Sequence, residues 1–340
     1  MEMSGEKMRT LEMKPLVSDL DYYAEAYRVY AGFSGQKLKT YQKWADDVFI
    51  PTAVDKLHGS FQGAEEFRIL GIGSGGGEID VCLLERLSSR FPSITNTVIE
   101  PSTEAITRYT ALLQEKEANL QGVKTQFKQT TIQEFCAETK KASTGDSRPK
   151  FHFIHAIQSL YYSDDLNGTI WDMYEMLEEG GAMLIIMMTD DHILYRMLDN
   201  FPFLVGQKTP STTKLSSKDI TKALEQLGLA YTSHTVNTRT EASSCFNPES
   251  EDGNKVLDFL TNTVRFRDNA PPEICDKVLG FLRAICPSSV PDETTDEARE
   301  GVVGGEYKTQ KKLLFIRDAQ SVIVFRQDTD GALQKSAMKM

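Results

Sequence analysis

Apolar positions along the chain recur with two different periods, and the switching between them predicts the elements. Residues 67–72, Phe-Arg-Ile-Leu-Gly-Ile, form a short apolar run that reads as a buried strand. Helical spacing resumes at residues 78–87. Further strands are expected at 95–100, 123–127, 151–157, 182–188 and 230–236, with helices between them, including 166–178 and one carrying Ile220, Leu224 and Leu227. This order is that of an open α/β sheet. Ahead of it, Tyr22, Tyr23, Ala26, Tyr27, Tyr30 and Phe33 recur at helical steps. That helix either packs its aromatic face on the main domain or serves as a lid whose rings wall a pocket. A second helix, 37–58, carries Leu38, Tyr41, Trp44, Val48 and Phe49, with Pro51 as an interruption. The pattern divides the chain into a flexible tail (1–20), a helical lid (21–60), a central core (61–239), an insertion (240–309), terminal strands (310–328) and a second tail (329–340).

The glycine-rich turn after the first strand brings in chemistry. Gly71, Gly73, Gly75, Gly76 and Gly77 stand between strand and helix, and Gly71, Gly73 and Gly76 fit G-x-G-x-x-G. Glycine lets a ligand approach the backbone, and the helix start leaves N–H donors free. Glu100, at the carboxyl end of the next strand, is placed to accept hydrogen bonds from a ribose diol. A dinucleotide and a nucleoside sulfonium fit this geometry equally, so the turn leaves both open. Ligands of open α/β sheets sit outside the carboxyl ends of the strands, which puts Gln158, Tyr161 and Tyr162 after strand 151–157 within reach of a substrate. His152 and His155, three apart on that strand, are not expected to form a metal pair, and no metal is expected.

Composition narrows the classes. The 340 residues allow one large α/β domain with an insertion, or two domains, and 40% hydrophobic content can supply a core. A net charge of −11 argues against a general nucleic-acid binder. Five cysteines without a C-x-x-C pair read as reduced thiols of a cytoplasmic protein. The longest apolar run is far too short to span a membrane.

Several blocks resemble the histamine N-methyltransferase family over roughly residues 23–325. They are Gly73-Ser74-Gly75-Gly76-Gly77-Glu78-Ile79-Asp80, Val98-Ile99-Glu100-Pro101-Ser102, Phe153-Ile154-His155-Ala156-Ile157-Gln158-Ser159-Leu160-Tyr161-Tyr162, Met183-Leu184-Ile185-Ile186, and Asp258-Phe259-Leu260-Thr261 with Ala270-Pro271-Pro272. The glycine turn is generic, whereas the blocks around Gln158 and Pro271 are far more specific. The resemblance implies a class I, Rossmann-like methyltransferase with a seven-stranded sheet, a smaller substrate-binding domain, S-adenosylmethionine as cofactor and a monomeric state. It further implies that Gly73, Gly75, Glu100, Ala105, Thr131, Ile132 and Ile157 line the cofactor, and that Gln158 contacts an imidazole ring beside Tyr162. Tyr23, Tyr27, Tyr30, Tyr162 and Phe259 would form an aromatic box.

The departures bear on the substrate. The family's acid facing the substrate amine falls on Gln36, and its C-terminal Asn falls on Arg317 or Asp318. Ala105 and Ile132 stand where Gln and Ser are expected on the adenine side. Losing an acid weakens the fit to histamine, and Arg317 could pair with the carboxylate of carnosine. The expected activity is therefore methylation of the carnosine imidazole. Histamine methylation is the alternative, and a non-catalytic cofactor-binding scaffold the second.

Overall fold

The computed structural model describes residues 13–32, 37–142, 148–204, 214–286, 313–316 and 318–327. The chain divides into two compact units. Residues 37–190, 213–238 and 318–340 form the larger, and residues 1–36, 191–212 and 239–317 the smaller. The described strands are β1 (Phe67–Ile72), β2 (Ile94–Ile99), β3 (Val123–Lys128), β4 (Phe151–Ile157), β5 (Leu177–Met188), β6 (Tyr231–Val236), β7 (Arg239–Glu241), β8 (Leu314–Ile316) and β9 (Ala319–Phe325).

The larger unit is built on a seven-stranded sheet of order β3-β2-β1-β4-β5-β9-β6, the Rossmann-like sheet expected. β1 to β5 pair in parallel, and β9 runs antiparallel between β5 and β6. Helices cover both faces, so the central strands are buried throughout and lose their alternation. Phe153, Leu184 and Ile186 enter one core with Phe49, Leu83 and Leu84; Ile154, Met183 and Ile185 enter the other with Ile170, Met173 and Leu224. Edge strand β3 instead alternates, with Val123, Thr125 and Phe127 half-buried and Lys124, Gln126 and Lys128 exposed. The chain reverses its direction of winding at β1, which has β2 on one side and β4 on the other. A crevice opens outside the carboxyl ends of strands at such a switch point.

Three local readings are corrected. Pro51 does not interrupt its helix. An α-helix (Lys37–Trp44) passes through a π-helical stretch (Ala45–Val54) into another α-helix (Asp55–Ser60). The wider π turn accommodates a ring that lacks an N–H and crowds the preceding carbonyls. β5 begins at Leu177, because Gly180 (φ +77°) and Gly181 form a bend within the strand. There Gly180 N–H donates to the Arg326 carbonyl at 3.1 Å and Arg326 N–H to that of Gly181 at 2.9 Å. The expected tail is held down in its described part: Leu16 is buried and its N–H donates to Asn262 O at 2.8 Å, while Lys14 O accepts from Val264 N–H at 3.0 Å.

The smaller unit packs helices Leu20–Gly32, Ile193–Asn200, Glu251–Thr261 and Pro272–Ile285 around Tyr30, Ile193, Met197, Leu257, Phe266, Leu282 and Phe315. Its make-up differs from the expected segmentation: residues 21–36 separate from 37–60, and 191–212 leave the 61–239 core. Helix Leu20–Gly32 belongs to this unit through its apolar core, where Tyr30 packs with Leu257 and Leu260, and Glu25 pairs with Lys255 at 2.5 Å and Tyr22 with Asp258 at 2.6 Å at its border.

Asp258 is 1% exposed and holds a turn with two left-handed residues, Asn262 (φ +51°) and Arg265 (φ +46°). Its Oδ1 accepts from Phe266 N–H at 2.7 Å and its Oδ2 from the Tyr22 hydroxyl. Burial pushes its carboxyl above the usual range, against the lowering effect of these bonds. Asp258→Asn is expected to cost about 2–3 kcal/mol, since the amide sets a donor against one of two donors. The folded-state pKa is raised, so the burial penalty is absent while both states are protonated. It grows as pH rises from the ordinary carboxylate value through the folded one. The stability lead of wild type over Asp258→Asn therefore narrows as pH rises from about 4. Urea unfolding of both proteins across pH measures this, and a lead that widens contradicts it.

Candidate functional site

The site of the larger unit starts from the strand ends at the switch point. Gly71 and Ile72 of β1 lie level with His155 and Ala156 of β4, so the segments leaving the two strands emerge side by side. From β1 the chain turns through Gly73 (φ +64°), Gly75 (φ +58°) and Gly77 (φ +83°) into helix Glu78–Ser88. A Cβ on Gly73 would stand 2.6 Å from Ser159 Cβ, so glycine is required for the two turns to approach. A Cβ on Gly75 would meet nothing within 4 Å, so this part of the turn faces open space.

Glu100 follows β2 and is 7% exposed. Its Oε2 accepts the Gly75 N–H at 2.9 Å and its Oε1 the Ser102 N–H at 3.0 Å. Each oxygen keeps a further lone pair, enough to receive the two hydroxyls of a diol. Beneath the turn lies a buried polar group. Asp80 Oδ2 is 3.6 Å from His155 Nε2 and 3.4 Å from the Tyr109 hydroxyl, which in turn accepts from Asn96 Nδ2 at 3.4 Å. Burial pushes Asp80 up, and His155, Ser74 and Tyr109 hold it down in part.

At the end of β4, Ile157 pairs with Ile186, and Gln158 N–H donates to Ile186 O at 2.8 Å. Gln158 then turns into the left-handed region at φ +54°, a conformation that costs a non-glycine residue about 1–3 kcal/mol. A 3-10 turn, Leu160–Tyr162, follows. Through it the Tyr161 hydroxyl returns to donate to Gln158 Oε1, while accepting from Met188 N–H at 3.3 Å. Ser159 Oγ, beside Gly73, is buried and without a hydrogen-bond partner among the described residues. An orphaned hydroxyl, an open glycine and a carboxylate with spare lone pairs, all around one turn, fit a nucleoside-bearing ligand.

The remaining expected residues fall as follows. Ala105 is buried, and its N–H donates to Ser102 Oγ, the cap of helix Thr103–Glu115. Thr131 forms a reciprocal cap with Glu134: its N–H and hydroxyl donate to Glu134 Oε2 at 3.0 Å each, and its Oγ1 accepts from Glu134 N–H at 3.2 Å. Ile132, the first residue of helix Ile132–Ala142, packs on the core. The Asp318 carbonyl accepts from Thr189 N–H (3.0 Å) and Oγ1 (3.2 Å), just past β5. In the smaller unit four of the five expected aromatics meet: Tyr23 stacks on Tyr27, and Phe259 lies 4.4 Å from Tyr30, 5.6 Å from Tyr27 and 6.0 Å from Tyr23 between ring centroids. Gln36, Arg317 and the Tyr162 side chain lie outside the described residues. His152 accepts the Arg68 N–H and packs on Phe61 and Phe67, and its burial lowers its pKa to about 4. Among the described residues, no cluster of three or more His, Cys, Asp or Glu side chains is placed for a metal ion, and no helix is long and apolar enough to cross a membrane.

Sequence reasoning missed Ser159 and the Asp80–His155 pair, and gave Tyr161 no partner. A charged residue within an otherwise apolar run was the available signal for the pair.

Residues 41–234 match the methyltransferase domain family. The chain is 28% identical over 276 residues to histamine N-methyltransferase of Bos taurus, covering 80% of this chain and 90% of that protein. It is 30% identical over 286 residues to histamine N-methyltransferase B of Xenopus laevis, covering 82% and 93%. Among solved structures, the YcgJ protein of Bacillus subtilis aligns with a TM-score of 0.43 at 16% identity, over 81% of this chain and 99% of that one.

Proposed function

Because the chain belongs to the histamine N-methyltransferase family and carries a methyltransferase domain, we propose that it methylates a ring nitrogen of a small imidazole amine, with histamine as the favoured substrate. Its cofactor is S-adenosylmethionine, which when bound supplies a methyl group on a positively charged sulfur. Gly73, Gly75 and Glu100 would hold it: the glycines leave backbone space, and Glu100 accepts the ribose hydroxyls. The Ala105 N–H and the Thr131 N–H and hydroxyl are committed to helix caps, so these donors are not left for the adenine.

The observation that carries the reading is Gln158, held in a strained backbone conformation next to Ser159, the residue that packs on Gly73 of the glycine turn. Its amide oxygen accepts an imidazole N–H, which leaves the lone pair of the other ring nitrogen free to attack. Imidazole has a pKa of about 6.5, so much of it is neutral near pH 7 and no strong base is needed. The methylated ring starts as a cation and releases its N–H proton to solvent. Alignment carries the rate, an effect worth up to roughly 7–11 kcal/mol. Within the smaller unit, the stacked rings of Tyr23 and Tyr27 with Phe259 tilted against them offer faces suited to a cation, at about 0.5–2 kcal/mol per contact.

The relatives named for histamine support that amine over carnosine, which the sequence put first. Gln36 and Arg317, on which the carnosine preference rested, lie outside the described residues. Gln158→Ala is expected to lower turnover roughly 10- to 100-fold with cofactor binding retained. Methyl-transfer assays with histamine and carnosine side by side test both points. Faster turnover of carnosine would reverse the substrate order, and unchanged turnover of Gln158→Ala would remove its role. Binding of S-adenosylmethionine on titration with turnover of neither amine would leave the cofactor-binding scaffold.

A further inference from the structure

We infer that the Tyr161 hydroxyl is the positioning group that fixes the Gln158 amide and so selects which ring nitrogen is methylated; this rests on the reading of Gln158 given above. The parallel ladder between β4 and β5 ends where Gln158 N–H meets Ile186 O. Beyond that point Gln158 turns left-handed, and β4 no longer offers a carbonyl to the next inward donor of β5, Met188 N–H. Tyr161 takes that place: its oxygen accepts the Met188 N–H at 3.3 Å and its proton goes to Gln158 Oε1. The end of a core strand thus sets the rotation of the amide through one hydroxyl.

An amide has two different ends. With Tyr161 donating, the oxygen end is pinned, with one lone pair used and one left for a ring N–H. Without the hydroxyl, nothing on Tyr161 distinguishes Oε1 from Nε2. The amide can then rotate to face the substrate with a donor, which engages the nucleophilic lone pair or turns the ring over. The Tyr161 ring itself packs against the apolar core on that face of the sheet, so removing only its oxygen preserves the packing.

The test is Tyr161→Phe on the full-length chain, assayed with an imidazole carrying a side chain on one carbon so that its two N-methyl isomers are distinct. The wild type is expected to give one isomer. The variant is expected to give both, with kcat lowered roughly ten- to a hundredfold and cofactor affinity unchanged. Added to Gln158→Ala, Tyr161→Phe is expected to cause no further change in kcat or isomer ratio, because its effect passes through Gln158. An unchanged isomer ratio in Tyr161→Phe, or an additive loss in the double variant, overturns the inference and leaves the methyltransferase reading standing. A wild type that methylates neither nitrogen overturns that reading and this one with it.

Discussion

Glu100→Ala is expected to lower affinity for S-adenosylmethionine roughly 100- to 10,000-fold. Two bonds from a ribose diol to a carboxylate are worth about 1.5–3 kcal/mol each, and each 1.4 kcal/mol is a tenfold change. The Glu100 carboxylate is buried and already bonded to Gly75 and Ser102 N–H groups, so it does not have to be ordered when a ligand arrives. Its removal also releases the Gly75 N–H and with it the set of the turn. Glu100→Gln is expected to fall nearly as far, since its NH2 must face either a backbone N–H or the diol. Isothermal titration gives the affinities. A change under about threefold in both variants would mean that this carboxylate does not bind the ribose.

Gly77→Ala should cost the larger unit about 3–5 kcal/mol, or roughly 10 °C in melting temperature. At φ +83° a side chain is already penalised. Its Cβ would stand 2.1 Å, 2.3 Å and 2.4 Å from three ring atoms of Tyr109. Tyr109 is fully buried, and its hydroxyl joins Asn96 to Asp80, so the ring has nowhere to yield. Gly75→Ala separates stability from binding: its Cβ meets nothing, so the expected loss is about 1 kcal/mol, while the methyl group projects into the space a ligand needs. Thermal unfolding and titration on both variants give the contrast. Equal melting temperatures for Gly77→Ala and wild type would contradict the packing argument.

The strands of the larger sheet were legible because burial on both faces leaves long apolar runs, as in β4 and β5. Glu100 was legible because its place at a strand end follows from where β2 stops. The aromatic group was legible too, since Tyr23, Tyr27 and Tyr30 fall on one face of a helix. Bonds from side chains to distant backbone were not legible. Periodicity reports which way a side chain faces, and says nothing of Tyr161 reaching Met188 or Asp258 reaching Phe266. Pro51 and Gly180 misled for a related reason. Each is a breaker in isolation, and each is accommodated by a neighbouring register change that no local signal announces.

The place of β9 has a consequence for biosynthesis. Among the described strands β6 joins the sheet through β9 alone, and β9, residues 319–325, follows both β5 and β6 in the chain. Until those residues leave the ribosome, β5 and β6 each present a bare row of backbone donors and acceptors, the kind of surface that recruits stray strands from other chains. From the completion of β6 until β9 emerges, the growing polypeptide carries two unpaired borders, and one segment closes both at once.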